Sequence, residues 1–344
     1  MSEYFFVLPL QKLNIDIMEQ KLYPLKFMPL FKNKIWGGNK IRDIMHIDYS
    51  PLPNCGELWV LSAVEDNETI IENGYLQECT LKEAIGLYFD DIVGEKCFDK
   101  FQDNFPLLFK IIDANDALSI QVHPDDKMAR KMGEENGKNE MWYIIDAEKD
   151  SQIIDGFNKD LTKTEFINSL NNKNLTSILN IEKPNKGDFF FIPSGRIHAI
   201  GKGVLLAEIQ QSSDTTFRVY DWDRKDEKGK GRKLHIEEAL EALDFRKAPF
   251  DAKGNYDYKL NNTSKLLDTP YFTTNVLHLS QALKKDFSLL DSFIVYLCIE
   301  GSGFIHSLNT KVEIKMGEAI LVPALCNDVI IEPKGYISLI ETYM

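Results

Sequence analysis

The sequence predicts a mainly β protein, built as two β-sandwich or β-barrel units with a few helices. Many short apolar runs recur at near-regular spacing, and Gly, Pro, Asn and Asp separate them. This pattern is typical of sandwiches and barrels and not of alternating β-α-β units. A Gly-acid-strand-Pro segment also occurs twice, which indicates two copies of one unit. The length of 344 residues fits roughly two domains.

The predicted strands account for most of the assigned elements. They cover 107–113, 117–123, 140–146, 188–193, 204–210, 272–279, 293–300 and 318–323. Three helices are predicted where apolar residues recur at helical spacing, over 80–95, 162–179 and 236–243. Thr80 and Thr162 stand where a helix N-cap is expected.

The internal repeat defines the domain organisation. Gly187 and Gly317 are each followed by a proline six residues later, and by His198 or Asp328 eleven residues later. Because only the first copy keeps a histidine, we expect a metal site in the first unit alone. The predicted domains are an N-terminal extension over 1–20, a catalytic metal-binding domain with helical segments over 21–250, and a C-terminal domain without metal over 251–344.

Composition excludes several classes of protein. Forty Lys and Arg against 53 Asp and Glu give a formal net charge of −13, which disfavours nucleic acid and anionic membranes as partners. An anionic substrate would need a local cluster of Lys and Arg. No apolar run approaches the roughly 20 residues of a membrane span, and we identify no signal peptide. The five widely spaced cysteines include no CxxC pair, which fits a reducing cytoplasm.

Four residues are candidates for metal binding. Gln121 and His123 share one face of a predicted strand, because side chains alternate along strands. Glu140 begins another strand and His198 follows a proline turn, and such strands can be neighbours in an antiparallel barrel. An amide oxygen, two imidazoles and a carboxylate suit zinc or another first-row divalent metal. The spacing alone is not specific, since most histidines in proteins bind no metal.

An ordered series of distinctive strings runs from about Leu22 to Asp223. The strings are FKNKIWGG, CGELWVLS, PLLFKIID, LSIQVHPDD, GKNEMWY, GDFFFIPSGRIHAI and LLAEIQQSSDTTFRVYDW. Together they resemble the type I mannose-6-phosphate isomerases, and a weaker resemblance continues through the C-terminal part. The 58 positions from Glu140 to His198 leave no room for a large helical insertion, so the resemblance is to the compact bacterial branch.

The resemblance implies a fold, a cofactor and a reaction. The fold is a duplicated cupin, that is, two jelly-roll β-barrels with a few short helices. The family pattern makes Gln121, His123, Glu140 and His198 the ligands of one zinc ion per chain. The reaction is the interconversion of mannose 6-phosphate and fructose 6-phosphate through a cis-enediol.

Basic residues at matching positions supply the field that a phosphorylated substrate requires. Lys110, Lys138 and Arg218 are expected to favour a phosphate dianion and a developing enediolate. We expect Lys110 to bind substrate, together with Ser119, whose side chain shares a strand face with the Gln121 amide. Asp214 either binds substrate or caps a turn.

The reaction also requires a general base and a group that stabilises the enediolate. The matching positions leave Glu208 and Lys138 as alternatives for the base, and Lys138 needs a pKa lowered by the zinc and its neighbours. Arg218 is the expected stabiliser of the enediolate. Trp36, Glu57 and Trp59 also match the family. Each of them either lines the substrate pocket or only supports the fold.

Two other functions are compatible with the same residues. One is an iron-holding oxygenase of the cupin type, which the glutamine ligand and the basic neighbours disfavour. The other is a sugar-phosphate-binding protein without isomerase activity, which has no positive support because no matched position is lost. We expect a cytoplasmic enzyme, monomeric or homodimeric, whose partner is a small sugar phosphate.

Overall fold

The structure is a computed structural model that describes residues 21–225, 228–249 and 252–344. Most of the described chain is antiparallel β-sheet with short helices, which confirms the mainly β fold class. The expected extension over 1–20 lies outside the described residues. Among the described helices, none is long and apolar enough to cross a membrane.

The strands are numbered in chain order. They are β1 (Leu25–Met28), β2 (Leu30–Lys32), β3 (Glu57–Leu61), β4 (Ala63–Val64), β5 (Asn67–Glu68), β6 (Ile70–Ile71), β7 (Leu107–Ala114), β8 (Ile120–Val122), β9 (Glu140–Ala147), β10 (Ile153–Phe157), β11 (Leu179–Glu182), β12 (Phe189–Ile192), β13 (His198–Ile200), β14 (Val204–Gln211), β15 (Phe217–Tyr220), β16 (Lys253–Gly254), β17 (Thr263–Asp268), β18 (Thr273–Leu279), β19 (Leu283–Asp286), β20 (Ile294–Ser307), β21 (Thr310–Lys315), β22 (Ala319–Val322) and β23 (Asp328–Tyr343).

The helices are short and most of them lie in the first half of the chain. They are α1 (Lys40–Asp43), α2 (Leu81–Tyr88), α3 (Asp90–Val93), α4 (Glu95–Phe101), α5 (Asp126–Lys131), α6 (Lys163–Asn171) and α7 (Ile236–Ala242). Two 3₁₀ turns occur at Gly74–Leu76 and Leu175–Ile178.

Three large sheets build the molecule. A seven-stranded sheet has the order β16-β12-β9-β14-β7-β3-β2, and a five-stranded sheet has the order β11-β10-β13-β8-β15. Apolar side chains of both, among them Trp142, Ile153, Phe190 and Ile200, form one buried cluster, so these two sheets face each other. The third sheet has the order β17-β18-β23-β20-β22-β1-β6, and β19 and β21 are attached to it.

The units on either side of residue 250 share strands. The N-terminal strand β1 pairs with β22 of the C-terminal sheet, and β16 pairs with β12 of the seven-stranded sheet. The predicted domain boundary therefore separates two stretches of sequence whose sheets are interlocked. The other face of the seven-stranded sheet packs in the same large core as the C-terminal sheet and helix α2.

The internal repeat corresponds to one supersecondary unit in each half. Gly187 and Gly317 have φ values of +91° and +82°, in the left-handed region that favours glycine. Strands β12 and β22 begin two residues later in each case. The next strands, β13 and β23, begin at His198 and Asp328, which are the equivalent positions of the repeat.

The predicted helices differ from the observed ones in length. The stretch 80–95 contains two helices, α2 and α3, because Phe89 between them has a φ of +50°. The stretch 162–179 contains α6 and then a 3₁₀ turn. Both predicted N-caps are confirmed, since Thr80 and Thr162 each accept a hydrogen bond from the backbone three residues on and form a capping box.

The shared strand β1 leads to a prediction about stability. The Leu25 side chain is fully buried, and its residue pairs with Leu321 of β22. Truncation there leaves a cavity, so Leu25→Ala should lower the free energy of unfolding by about 2–5 kcal/mol, measured by urea denaturation. Met28→Ala on the same strand is the control, because Met28 is 54% exposed; its effect should stay under about 0.5 kcal/mol. Equal effects would contradict the placement of β1.

Candidate metal centre and adjoining cavity

The candidate metal ligands come from two facing sheets. Gln121 on β8 and His198 on β13 are direct cross-strand partners in the five-stranded sheet, and His123 follows the end of β8. Glu140 begins β9 in the seven-stranded sheet. The expectation that the Glu140 strand neighbours the histidine strands is therefore corrected, because its carboxylate approaches them from the facing sheet.

His123, Glu140 and His198 are close enough to share one ion. A ligand atom from each lies within 4.8 Å of the others. The two Nε2 atoms are each 3.4 Å from an oxygen of the Glu140 carboxylate. All three residues are at most 1% exposed. The amide of Gln121 reaches the same point, with its nitrogen 3.3 Å from Nε2 of His198.

Backbone carbonyls orient both imidazoles toward this point. Nδ1 of His123 donates to the carbonyl of Thr215, and Nδ1 of His198 donates to the carbonyl of Arg196, both at 2.9 Å. A carbonyl only accepts, so each Nδ1 carries the proton and each Nε2 keeps a lone pair for a metal. Within the described residues, Nε2 of His123 and Oε1 of Glu140 are buried without a hydrogen-bond partner, and Oε2 of Glu140 has only an ion pair with Lys138. Such atoms are costly unless they bind something, so this donor set fits a metal ion.

Neighbouring charges set the protonation of the group. Burial raises the pKa of Glu140, but the charge of Lys138 holds it well below its usual range. Lys138 Nζ lies 3.1 Å from Oε2 of this carboxylate. Burial, assisted by the Lys138 charge, lowers the pKa of His123 to about 3, and burial also lowers the pKa of His198. The group thus offers a carboxylate and two neutral imidazoles at neutral pH, which is the form that binds metals.

A cavity of about 260 Å³ lies beside these ligands. The polar and aromatic residues that line it are Lys34, Trp36, Glu57, Lys110, Ser119, Gln121, Lys138, Glu208, Asp214, Thr216, Arg218 and Arg232. The structure therefore brings together all six predicted catalytic and substrate-binding residues. Trp59 is not among the lining residues but contacts one of them, because its Nε1 donates to Oε2 of Glu57 at 2.7 Å.

Sequence reasoning missed two cationic residues of the cavity. Lys34 lies within the FKNKIWGG string and pairs with Glu57 at 2.9 Å, but nothing in that string distinguishes it from a solvated lysine. Arg232 lies in a polar stretch rich in Lys and Gly, where no hydrophobic period indicates which side chains turn inward. Its position depends on long-range contacts that the sequence does not display.

Glu208 is a buried carboxyl in the wall of the cavity. It pairs across strands with Lys110, whose Nζ is 3.3 Å from Oε1, and Nε1 of Trp142 donates to Oε2 at 2.9 Å. Burial and the charge of Glu140 raise the pKa of Glu208, against the opposing charges of Lys110 and Lys138. A raised carboxyl pKa is what a general base near neutral pH requires.

Lys138 is subject to the opposite influence. Burial alone would lower the pKa of its ammonium group, but the carboxylates of Glu140, Glu208 and Asp214 raise it above its usual value. The charges of the chain itself therefore oppose the lowered pKa that a basic Lys138 needs.

The fold and the site together define a mainly β protein of the cupin class, with a candidate metal site and an adjoining cavity lined by charged side chains. Comparison with known proteins gives the family. Residues 24–139 match the model of the phosphomannose isomerase type I catalytic domain, and residues 262–344 match that of the mannose-6-phosphate isomerase cupin domain. The chain belongs to the type I phosphomannose isomerase family, which confirms the resemblance and the cupin fold class.

Individual relatives agree with the family models. The chain is 37% identical over 307 residues to the mannose-6-phosphate isomerase of Bacillus subtilis. The matched region covers 87% of this chain and 93% of the relative. It is 34% identical over 300 residues to the mannose-6-phosphate isomerase of Streptococcus mutans, with coverages of 87% and 92%. A crystal structure of mannose 6-phosphate isomerase from Bacillus subtilis superposes with a TM-score of 0.82 at 32% identity, covering 93% and 99% of the two chains.

The buried imidazoles predict a pH-dependent stability of the metal-free protein. An unfolded histidine titrates near 6.5, whereas folded His123 does so at about 3. Between these values the unfolded chain binds a proton that the folded chain rejects, so stability falls as the pH falls. The contribution of His123 reaches about 1.4 kcal/mol per pH unit. Urea denaturation of chelator-treated protein between these pH values should show this slope.

Two variants test the origin of that slope. His123→Gln should reduce it, because the group that titrates differently in the two states is gone. His46→Asn is the matched control at an exposed histidine and should leave the slope unchanged. An unaltered slope in His123→Gln would show that other groups control the acid sensitivity.

Proposed function

We propose that this chain interconverts mannose 6-phosphate and fructose 6-phosphate through a cis-enediol. The observation that carries the proposal is one cavity lined by all six residues expected to act on the substrate. Two of its lining residues contact the candidate metal group, since Gln121 lies 3.3 Å from His198 and Lys138 lies 3.1 Å from Glu140. Membership of the type I family and the names of its relatives supply the reaction.

We propose that Gln121, His123, Glu140 and His198 hold one Zn²⁺ per chain. Imidazole, carboxylate and amide donors suit zinc and leave positions for water or substrate. A half-turn of the Gln121 amide would exchange its nitrogen for the oxygen beside His198. When bound, the ion polarises the substrate oxygens and stabilises the negative charge that develops on them.

Glu208 is the group that we assign as general base. The isomerisation moves a proton between adjacent carbons, and Glu208 combines a raised pKa with a carboxylate fixed by Lys110 and Trp142. Lys138 stays protonated among its carboxylates, so we assign it to stabilise anionic oxygen and to donate protons to it.

Arg218 is the proposed stabiliser of the enediolate. It is the cross-strand partner of the metal-ligand candidate Gln121, on the adjacent strands β15 and β8. Its Nη1 donates to the carbonyl of Lys233 at 2.9 Å, and its buried Nε has no hydrogen-bond partner within the described residues. We assign Lys110, Ser119 and Asp214 to bind the hydroxyl groups of the substrate.

We further propose that the enzyme works in the cytoplasm. All five cysteines lie within the described residues and are free thiols, as is typical of a reducing compartment. The oligomeric state, monomer or homodimer, stays a prediction from the sequence.

Substitution of His198 tests the metal and the reaction together. A coupled assay measures fructose 6-phosphate formed from mannose 6-phosphate, and elemental analysis measures zinc. His198→Ala should lose bound zinc and about 100-fold or more of the turnover, because loss of a residue that only supports a metal ligand already costs about 10- to 100-fold. His306→Ala, in the C-terminal sheet, is the control and should keep both. Zinc-loaded wild-type protein without turnover would overturn the proposed function.

Substitution of Glu208 tests the assignment of the base. Glu208→Gln should lower kcat by about 10²–10⁴-fold with zinc retained. Because the base must be ionised, wild-type kcat/KM should fall as the pH drops through a pKa above the ordinary carboxyl value of about 4.3. Lys138→Met should keep exchange of the substrate C–H proton with solvent. Exchange that is lost in Lys138→Met and kept in Glu208→Gln would identify Lys138 as the base.

A further inference from the structure

The cations around the cavity are unevenly neutralised. Each of its three lysines lies within 3.3 Å of a carboxylate, in the pairs Lys34–Glu57, Lys110–Glu208 and Lys138–Glu140. All three carboxylates belong to the seven-stranded sheet. On that side of the cavity, positive charge is therefore already paired.

The opposite side carries an excess of positive charge. Arg218 on β15 is followed by Arg224 and Arg232, and the buried carboxylate of Asp221 is shared by the last two. Three guanidinium groups and one carboxylate leave a charge of +2. Asp116 reduces this charge only weakly, because it lies 3.8 Å from Nη1 of Arg224 and its side chain is 58% exposed.

Short contacts hold Arg232 in place. Its Nε donates to Oδ2 of Asp221 at 2.8 Å and its Nη2 donates to Oδ1 at 2.5 Å. The following backbone is bound to the free edge of β15, where His235 N–H donates to the carbonyl of Arg218 at 2.8 Å. The carbonyl of Lys233 accepts from Nη1 of Arg218. A guanidinium that is already oriented loses little freedom when it binds an anion.

We propose that Arg232, positioned by Asp221, anchors the phosphate group of the substrate and makes the enzyme select phosphorylated over free hexose. The proposal rests on the proposed function. The order of residues across the sheet supports it, because Gln121 lies at the metal centre, Arg218 is its cross-strand partner, and Arg232 lies beyond Arg218. The phosphate is carried at the far end of the hexose from the carbons that react.

The chemistry of the cluster fits the same group. A phosphate monoester carries a charge of about −1.5 to −2 at neutral pH. This charge is similar in size and opposite in sign to the net charge of Arg218, Arg224, Arg232 and Asp221. The fork of a guanidinium binds two phosphate oxygens at once. Nη1 of Arg224 and Nε of Arg218 are buried without hydrogen-bond partners in the described part of the chain, so further donors lie in the cluster.

The test compares Arg232→Gln with wild-type enzyme on mannose 6-phosphate and on unphosphorylated mannose. Loss of a charge-assisted hydrogen bond should raise KM for mannose 6-phosphate by roughly 10- to 100-fold and leave kcat within about threefold. The inhibition constant of inorganic phosphate should rise to a similar extent. The kcat/KM for mannose should not change, because that substrate has no phosphate.

Controls separate anchoring from structural damage. Arg246→Gln removes an exposed arginine paired with Asp244 and should leave all constants unchanged. Arg232→Lys keeps the charge but loses the two-pronged hydrogen bonding of the guanidinium, so its KM should lie between those of wild type and Arg232→Gln. The same variant tests the proposal if Arg232→Gln does not fold. Asp221→Asn should raise KM through the loosened guanidinium. A wild-type KM and phosphate inhibition constant in Arg232→Gln, or an equal loss on both sugars, would overturn the proposal.

A further measurement distinguishes failure of the anchor from failure of the proposed function. Calorimetric titration of zinc-loaded protein with inorganic phosphate requires no turnover. Weaker phosphate binding in Arg232→Gln than in wild type would support the anchor even if the isomerase assay were negative. Equal phosphate binding by the two proteins would overturn the anchor even if the isomerase assay were positive.

Discussion

The structure around the cavity depends on the burial of one carboxylate, that of Glu140. A charge removed from water costs several kcal/mol unless other charges and hydrogen bonds compensate it. Here the compensation comes from Lys138, whose Nζ lies 3.1 Å from the carboxylate, whereas the two imidazoles face it with unprotonated nitrogens. Because the imidazoles are neutral, Lys138 is the one group of these three that carries a full positive charge. A divalent ion between carboxylate and imidazoles would complete the compensation, so metal binding and the stability of this region are coupled.

The two facing sheets turn this constraint into an active-site geometry. The five-stranded sheet supplies Gln121 and His198, while the seven-stranded sheet supplies Glu140 and Glu208. Side chains on regular strands have few accessible orientations, so distances across the cavity are set by how the two sheets pack together. The apolar cluster between the sheets, which contains Trp142, therefore fixes the separation between the candidate metal ligands and Glu208.

Much of this arrangement could be predicted from local sequence, and the rest depends on long-range packing. Strand alternation is local, so the shared face of Gln121 and His123 was accessible from the sequence. The facing position of Glu140 depends on how the two sheets pack and was not. Strand β20 continues past its predicted end at residue 300. Gly301 and Gly303 do not terminate the strand, because its pairing with β23 continues through a register shift at these two residues.

The division of cations between lysines and arginines explains how an acidic protein can hold an anionic substrate in one orientation. A net charge of −13 repels anions in general, so attraction must be local. The lysines of the cavity are balanced by neighbouring carboxylates, such as Glu208 beside Lys110, and they add little net field. The arginines beside Asp221 are only partly balanced, so the positive potential is strongest away from the metal centre. In the proposed binding mode, a substrate with its charge at one end lies with its phosphate toward Arg232 and its carbonyl end toward His198.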